Sequence, residues 1–322
     1  MNYRHAFHAG NFADVAKHVA LTLVIEHLKR KDKPFRVIDT HAGLGGYRLD
    51  GFHAQRTGEW RRGIGPILDA VQMAAAPNRS VALEAPAAIR AFADLVAAHR
   101  AVHGPATYPG SPALAAMMLR TDDRLHANEL HPDDAQALAA FFARDRRVVV
   151  TGLEGWQIVR AALPPKERRG VVLIDPPFEQ PGEFQRLVSA LADANRRFAT
   201  GVGLLWYPVK EPTQIERFHR DLAQSGVPDL TAVEVHLSEP APEGRMAGSG
   251  LVLWNPPYRM IDTYSDALLW CAHVWRSTVQ PALKIIPLTD DAGASCSICG
   301  SSSGPRPAAP GHGTAKTRQS RR

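Results

Sequence analysis

The feature that most restricts the fold is a regular alternation of short apolar runs with longer helical stretches. Strands buried on both faces of a sheet appear as continuous apolar runs, and strands that alternate with helices form parallel, doubly wound sheets. The last two runs have no long helix between them, which predicts an antiparallel pair. We therefore expect an α/β fold with a seven-stranded, mostly parallel sheet whose last strand is antiparallel. The runs are FRVIDT (35–40), RLHANE (124–129), RVVVTG (147–152), GVVLID (170–175), GVGLLWY (201–207), TAVEVHL (231–237) and GLVLWN (250–255).

Two regions depart from this alternation. Residues 52–107 contain alanine-rich helical stretches where a single crossover between the first two strands belongs. We expect an inserted helical subdomain there, and a main domain formed by residues 1–51 and 108–288. Residues 289–322 are small, polar and rich in Gly, Pro and Ser. Such a segment buries too little surface to offset the entropy of ordering, so we expect a disordered basic tail.

The charge of the chain is unevenly distributed and supports nucleic-acid binding only weakly. The formal net charge is +6, but five basic residues and no acid follow Asp291. Local basic clusters are more informative, because clusters that share one surface follow a phosphate backbone. These clusters are Trp60-Arg61-Arg62; Arg144, Arg146 and Arg147; Lys166, Arg168 and Arg169; and Arg196 with Arg197.

Several classes of protein are disfavoured by composition. No apolar run is long enough to span a bilayer, and the first residues lack the apolar segment of a secretory signal. The three cysteines are too few for a disulfide framework, and Cys296-x-x-Cys299 has no second pair to complete a zinc site. We expect a cytoplasmic protein with no membrane association, no bound metal and no obligatory protein partner.

Polar residues at the ends of the first three strands predict a nucleoside cofactor. Asp39 is followed by a glycine turn that includes Gly43, which allows close approach of backbone to a ligand. Glu129 ends the second strand, where an acid binds ribose hydroxyls, and Glu154 and Gly155 follow the third, where they meet an adenine edge. The phosphate-binding patterns of ATP and NAD sites are absent. S-adenosylmethionine fits, and the strand layout is that of Rossmann-like, class I S-adenosylmethionine-dependent methyltransferases.

An acid or amide followed by Pro-Pro-aromatic occurs twice, as DPPF (175–178) and NPPY (255–258). The first copy ends the fourth strand, next to the first strand in this fold, so Asp175 is the expected catalytic acid. Its carboxylate and the Pro176 carbonyl each accept one hydrogen of a planar amino group, and Asp175 then takes the released proton. Phe178 offers a face for stacking of an extruded base. Asn255 is expected to shape a rim or contact RNA.

Seven motifs in order resemble the RlmJ family, bacterial enzymes that methylate N6 of one adenine in 23S ribosomal RNA. The resemblance implies that His18, His41 and Ser111 join Gly43, Glu129, Glu154, Gly155 and Asp175 in the S-adenosylmethionine pocket. It also implies that Tyr3 contacts RNA, with His5 and Lys17 as its neighbours. The motifs are YRHAFHAGNFADVAKH (3–18), DTHAGLGGY (39–47), RTGEW (56–60), YPGSP (108–112), NELHP (128–132), LIDPPF (173–178) and LWYPV (205–209).

Other functions remain open at this point. The same chemistry applies to adenine in DNA or to a protein glutamine, whose methyltransferases favour Asn-Pro-Pro-Tyr and would make Asn255 catalytic. A catalytically silent RNA-binding relative would keep the fold without the cofactor. A metal site built from His5, His8, His18 and Asp14 is disfavoured, because no HExxH or similar pattern accompanies them.

Overall fold

The computed structural model describes residues 4–74, 84–239 and 246–296. In these ranges the main sheet contains eight strands, in the spatial order β10-β8-β9-β7-β6-β1-β4-β5. The strands are β1 (Arg36–Asp39), β4 (Arg124–Asn128), β5 (Val148–Thr151), β6 (Gly170–Ile174), β7 (Val202–Val209), β8 (Leu230–His236), β9 (Gly248–Trp254) and β10 (Leu283–Thr289). Two further strands, β2 (Gly46–Arg48) and β3 (Thr107–Pro109), form a separate antiparallel pair.

Strand direction divides the sheet into two parts. Strands β5, β4, β1, β6 and β7 are mutually parallel, whereas β9 runs antiparallel to both β7 and β8. The expected Rossmann-like class I fold, with its antiparallel pair, is therefore confirmed. The carboxyl ends of the parallel strands share one edge, called here the carboxyl edge.

The structure adds an eighth strand to the seven that were expected. Strand β10 pairs antiparallel with β8 at the border of the sheet. Its sequence, LKIIPLT, is largely half-exposed and contains Pro287, as is typical of an edge strand. The predicted tail starts at residue 289, but Thr289 closes β10 and bridges to Ser295. The rest of the predicted tail, from residue 297, lies outside the described residues.

Helices cover both faces of the sheet. They are α1 (Phe12–Lys29), α2 (Phe52–Thr57), α3 (Ile64–Ala74), α4 (Ala87–His103), α5 (Ser111–Met118), α6 (Pro132–Phe141), α7 (Gly155–Ala162), α8 (Glu183–Phe198), α9 (Pro212–Ala223) and α10 (Met260–Val274), with 3-10 turns at His5–Phe7 and Glu59–Arg62. Within the described ranges, none of them has the length and apolar character needed to cross a bilayer.

Alternation along the buried strands gives each face its own core. On β6, Val171 and Leu173 pack under α1, α5 and α10, whereas Val172 and Ile174 pack under α7, α8 and α9. Helices α3 and α4, from the expected insertion, join the first of these cores through residues such as Phe92. Burying each such side chain contributes about 1.5–3 kcal/mol.

Candidate active site

The carboxyl edge carries a cavity of about 750 Å³. Its walls come from the loops after β1, β4, β5 and β6, from α7 and from the first turns of α8. Seven of the residues expected from the sequence line it together, namely His5, His41, Gly43, Glu129, Glu154, Gly155 and Asp175. This volume lies in the usual range for small-molecule sites.

The turn after β1 is hydrogen-bonded to Glu129, the acid that directly follows β4. The Gly43 amide donates to Glu129 Oε2 over 2.8 Å, and the His131 amide donates to Glu129 Oε1 over 2.9 Å. Gly43 has a φ of +64°, and a Cβ there would lie 2.0 Å from the Tyr47 hydroxyl. Only glycine fits this position, and the turn fixes the Glu129 carboxylate at the cavity wall.

His41 and α7 form a second wall. Glu154 caps α7, where its Oε2 accepts a hydrogen bond of 3.1 Å from the Trp156 amide. A Cβ at Gly155 would lie 2.3 Å from His41 Nε2, so the imidazole rests directly on the start of the helix. Burial lowers the pKa of His41 to about 4. The ring is therefore neutral near pH 7 and contributes shape and hydrogen bonding rather than charge.

Ser111 acts beneath the cavity rather than in its wall. Its Oγ donates to Asp39 Oδ2 over 2.6 Å, and both side chains are buried. Burial raises the pKa of Asp39 to about 7; the Ser111 hydrogen bond opposes this shift and the nearby charge of Asp175 adds to it. The pair fixes the end of β1 below the glycine turn.

Asp175 ends β6 and belongs to a chain of buried charges that reaches into α1. The ammonium of Lys17 contacts Asp175 Oδ2 and lies 3.0 Å from Asp14 Oδ1. Asp14 Oδ2 accepts a 2.9 Å hydrogen bond from the Gly10 amide and lies 3.0 Å from His5 Nε2. The order of these groups is therefore acid, base, acid, base, from the cavity to the N-terminal segment.

Neighbouring charges in this row of side chains stabilise the charged forms of Lys17 and Asp14. Burial alone would lower the pKa of Lys17, but the carboxylates of Asp175 and Asp14 raise it above its ordinary value. Burial likewise opposes ionisation of Asp14, yet His5 and Lys17 hold its pKa well below the usual range. Lys17 is therefore a permanent cation, although its side chain is only 4% exposed.

Two of the expected site residues, Lys17 and His18, do not line the cavity wall. Lys17 was expected to contact RNA, but it is buried between carboxylates because it lies on the inner face of α1. His18, the next residue along this helix, stacks on Tyr108 and is 2.8 Å from its hydroxyl, away from the cavity wall; burial lowers the pKa of His18 to about 3. Tyr3 lies outside the described residues.

The aromatic residue of DPPF also differs from expectation. Phe178 has a φ of +51° and packs on Phe184 and Trp206, with ring centroids 4.8 and 5.6 Å away. The neighbouring Pro177 lines the cavity instead, and Pro176 is buried. In this structure Phe178 therefore supports the DPPF turn from behind.

The second motif lies on the opposite edge of the sheet. Because β9 is antiparallel, Trp254 pairs with Gly203 at the start of β7. Asn255 follows with a φ of +48° and donates 2.8 Å hydrogen bonds to the carbonyls of Ala199 and Gly201. Asn255 therefore closes a turn and does not shape the rim of the cavity, whereas its contact with RNA stays a prediction.

Some residues of this region were not found from the sequence. Asp14 is one, because it was considered only as a metal ligand; its spacing of three residues from Lys17 on a helix was a usable signal for the ion pair. Trp156, Arg160 and Glu183 are others, and they line the wall formed by α7 and α8. In the part of the chain that the structure describes, no group of three or more His, Cys, Asp or Glu side chains is arranged to hold a metal ion.

Comparison with known proteins identifies the family to which this chain belongs. Residues 32–282 match the family model described as Ribosomal RNA large subunit methyltransferase D, RlmJ. The chain belongs to this family. The matched range holds every cavity residue discussed above except His5, and it also excludes Lys17.

Individual members of the RlmJ family match over nearly their whole length. The chain is 40% identical to Ribosomal RNA large subunit methyltransferase J of Escherichia coli, over 84% of this chain and 92% of that protein. It is 38% identical to the protein of the same name from Haemophilus influenzae, over 81% and 89%. A crystal structure of protein LPL1258 from Legionella pneumophila shares 30% identity with a TM-score of 0.73, and covers 86% of this chain and 97% of that one.

Proposed function

We propose that this protein transfers a methyl group from S-adenosylmethionine to the N6 amino group of an adenine in 23S ribosomal RNA. The observation that carries the proposal is that Asp175 opens onto the same cavity as Glu129 and Gly43. A side chain that can accept hydrogen bonds from an amino group and residues that can bind a nucleoside thus line the same cavity. The names of the Escherichia coli and Haemophilus influenzae relatives support ribosomal RNA as the substrate.

The chemistry of the cavity fits the cofactor. S-adenosylmethionine is a sulfonium cation with an ammonium group, and this cavity is lined by several carboxylates, among them Glu129, Glu154 and Glu183. Glu129 already accepts two amide hydrogen bonds, yet a carboxylate has about four lone-pair sites and still accepts ribose hydroxyls. Glu154, Gly155 and His41 would hold the adenine end. When bound, the cofactor supplies an electrophilic methyl group.

The chain activates the acceptor through the DPPF turn. The lone pair of an adenine N6 amine is delocalised into the ring, which makes it a weak nucleophile. Asp175 and the Pro176 carbonyl accept the two amino hydrogens and so direct the lone pair out of the ring plane. Two consecutive prolines fix that carbonyl, because each locks its own φ. Asp175 then accepts the proton that leaves the nitrogen.

Lys17 acts on this reaction through Asp175. The Lys17 ammonium contacts the Asp175 carboxylate and fixes its position, while Asp14 and His5 hold Lys17 in place. Lys17 and His5 therefore contribute to positioning at the cavity, in contrast to the RNA contacts first expected of them.

The substrate places further demands on the protein. The deep groove of double-stranded RNA is closed to side chains, so the target adenine must lie in a loop or bulge or be turned out of a helix. A protein with this substrate works in the cytoplasm, where ribosomal RNA is made in bacteria. No obligatory protein partner is needed for the chemistry.

The test is methyl transfer to defined substrates. Unmodified 23S ribosomal RNA, duplex DNA and a glutamine-containing release factor would each be incubated with labelled S-adenosylmethionine, followed by nucleoside or amino-acid analysis. We expect label in N6-methyladenosine from RNA alone. Asp175→Ala should abolish transfer, whereas Asn255→Ala, assayed below its melting temperature, should retain it. Label in DNA or glutamine, or loss of activity only in Asn255→Ala, would contradict the proposal.

A further inference from the structure

One exposed surface beside the cavity has no role in the chemistry described above. It is formed by Phe52 and Arg56 of α2 and by Arg61 and Arg62 of the following 3-10 turn, and it is called here the α2 patch. All four side chains are exposed, and Phe52 is 73% exposed. A single exposed aromatic ring is common on protein surfaces, but this one lies among three cations, and that combination suits a partner with both charge and flat rings.

The α2 patch adjoins the mouth of the cavity through the N-terminal segment. The ring of His53, next to Phe52, packs edge-on against Phe7 at 4.7 Å, and Arg56 lies 5.8 Å from the Phe7 ring centroid. Phe7 belongs to the same 3-10 turn as His5, which lines the cavity. The α2 patch is therefore placed to meet a polymer whose target base enters the cavity.

The charge of the α2 patch is not cancelled by neighbouring acids. Asp50 pairs with Arg48 through a 2.6 Å contact, and Glu59 is 3.0 Å from His8 Nδ1 and accepts 3.0 Å from Asn11 Nδ2. Among the described residues, no carboxylate forms an ion pair with the three arginines of the patch. Three positive charges therefore face solvent next to the site.

The other basic clusters of the sequence do not share this location. They precede β5, β6 and β7, and so lie on the edge of the sheet opposite the cavity. Two of their members are held internally, since Arg147 pairs with Asp145 at 2.6 Å and Arg169 donates to the Lys33 carbonyl. Of the basic clusters in the described ranges, only the α2 patch combines this position with arginines that lack an acidic partner and with an exposed ring.

We infer that the α2 patch binds the RNA that flanks the target adenine, with the three arginines on phosphates and Phe52 stacked on an unpaired base. This inference rests on the proposed function. The cavity is rich in carboxylates and repels phosphates, so backbone contacts must be made outside it. Arginine supplies such contacts, and exposed aromatic rings provide stacking platforms for unpaired bases.

The test measures KM for RNA and its salt dependence separately from kcat. The variants are the triple Arg56→Gln, Arg61→Gln, Arg62→Gln and the single Phe52→Ala, assayed with unmodified 23S ribosomal RNA. We expect the triple variant to raise KM about tenfold or more and to make the slope of log binding constant against log salt shallower by about 2, since each phosphate contact contributes about 0.7–0.9. Phe52→Ala should raise KM about fivefold or more with an unchanged salt slope.

Matched variants separate binding from folding. The corresponding triple lysine variant keeps the charge and should keep the salt slope. Arg144→Gln, Arg146→Gln, Arg197→Gln removes three exposed arginines from the opposite edge, and Tyr258→Ala removes a ring there that is 89% exposed. Both should leave KM for RNA unchanged. Calorimetric binding of S-adenosylmethionine should be the same for all variants.

Two failures are distinguishable. If the unaltered protein does not methylate RNA, the proposed function fails before the variants are compared. If it does, but the α2 patch variants keep the KM and salt slope of the unaltered protein, the inference is overturned and the patch serves another partner. An equal rise of KM in the opposite-edge variants would also overturn it, because the effect would then be one of overall charge.

Discussion

The ammonium of Lys17 binds the carboxylate of Asp175, although the two residues are 158 positions apart in the chain. The contact joins helix α1 to the end of strand β6 across the carboxyl edge of the sheet. The Lys17 side chain is buried, at 4% exposure, and that of Asp175 is mostly covered, at 10%, so neither charge is well solvated. The geometry of the DPPF turn therefore depends on Lys17, which lies near the start of α1.

Removal of Lys17 should harm both stability and catalysis. Lys17→Met leaves Asp14 and Asp175 buried without their shared cation, and breaking such a pair costs about 3–5 kcal/mol of unfolding free energy. The value of kcat should fall at least about 100-fold, because Asp175 is no longer held in place. Urea unfolding and single-turnover methylation measure the two effects.

Lys29→Met is the matched control on the same helix. Lys29 forms a 2.9 Å surface ion pair with Glu26. Such pairs contribute about 0–1 kcal/mol, so this variant should behave almost as the unaltered protein. Equal effects of the two substitutions would argue against a special role for Lys17.

Asp39 should make stability depend on pH. Its folded-state pKa is raised by burial to about 7, above its ordinary value of 3.8. Between these values the native protein keeps a proton that the unfolded chain has released. Its contribution to stability is therefore complete at low pH and is lost as pH rises through this window, by about 1.4 kcal/mol per pH unit.

Asp39→Asn removes that dependence while keeping an oxygen for the Ser111 hydrogen bond. Urea unfolding at pH 5 and pH 7 should show the variant gaining about 2–3 kcal/mol relative to the unaltered protein over this interval. If the two proteins changed in parallel with pH, the buried acid would have to be ionised in the native state throughout.

Gly155→Ala should weaken cofactor binding. The added Cβ would lie 2.3 Å from His41 Nε2, so the imidazole must move out of the cavity wall. Such overpacking costs about 1–3 kcal/mol. Gly152→Ala is the comparison, because its nearest neighbour would be the Glu129 carbonyl oxygen at 3.7 Å. Calorimetry with S-adenosylmethionine should show a loss of affinity for the first variant only.

Tyr207→Phe should destabilise the protein without altering the reaction. The Tyr207 hydroxyl donates to Glu234 Oε1 over 2.9 Å and lies 2.9 Å from His219 Nε2, all in the buried layer between β7, β8 and α9. Leaving buried polar groups without a partner costs about 1–3 kcal/mol. Thermal melting should detect the loss, kcat should be unchanged below the transition, and Tyr258→Phe at the surface should have no effect.

The fold was predictable because its signal is local. Runs such as GVVLID are apolar on both faces, and only a central strand of a covered sheet needs that. Strand β10 was not predicted, because an edge strand is half-exposed and this one contains Pro287. The motif order then predicted which strand ends meet, and the cavity contains Gly43, Glu129 and Asp175 as expected.

Contacts that depend on helix rotation could not be read from the motifs. Lys17 and His18 are adjacent, but neighbours on a helix point about 100° apart, so only one of them reaches Asp175. The direction of Phe178 depends on a positive φ that the sequence does not announce. The position of Asn255 follows from strand direction, because an antiparallel β9 ends at the edge of the sheet opposite the carboxyl ends of the parallel strands.

Strand β10 runs antiparallel to β8, and this direction places the C-terminal end of the described chain far from its N-terminal end. Arg4 pairs with Asp134, which lines the cavity, at 2.9 Å, whereas Thr289 pairs with Leu230 at the far side of the sheet. A purification handle or fluorophore attached ahead of residue 4 would lie close to the cavity and the α2 patch. Residue 296 lies beside the end of β10, away from that side, so the C-terminal end is the better choice for immobilising the protein on a sensor surface.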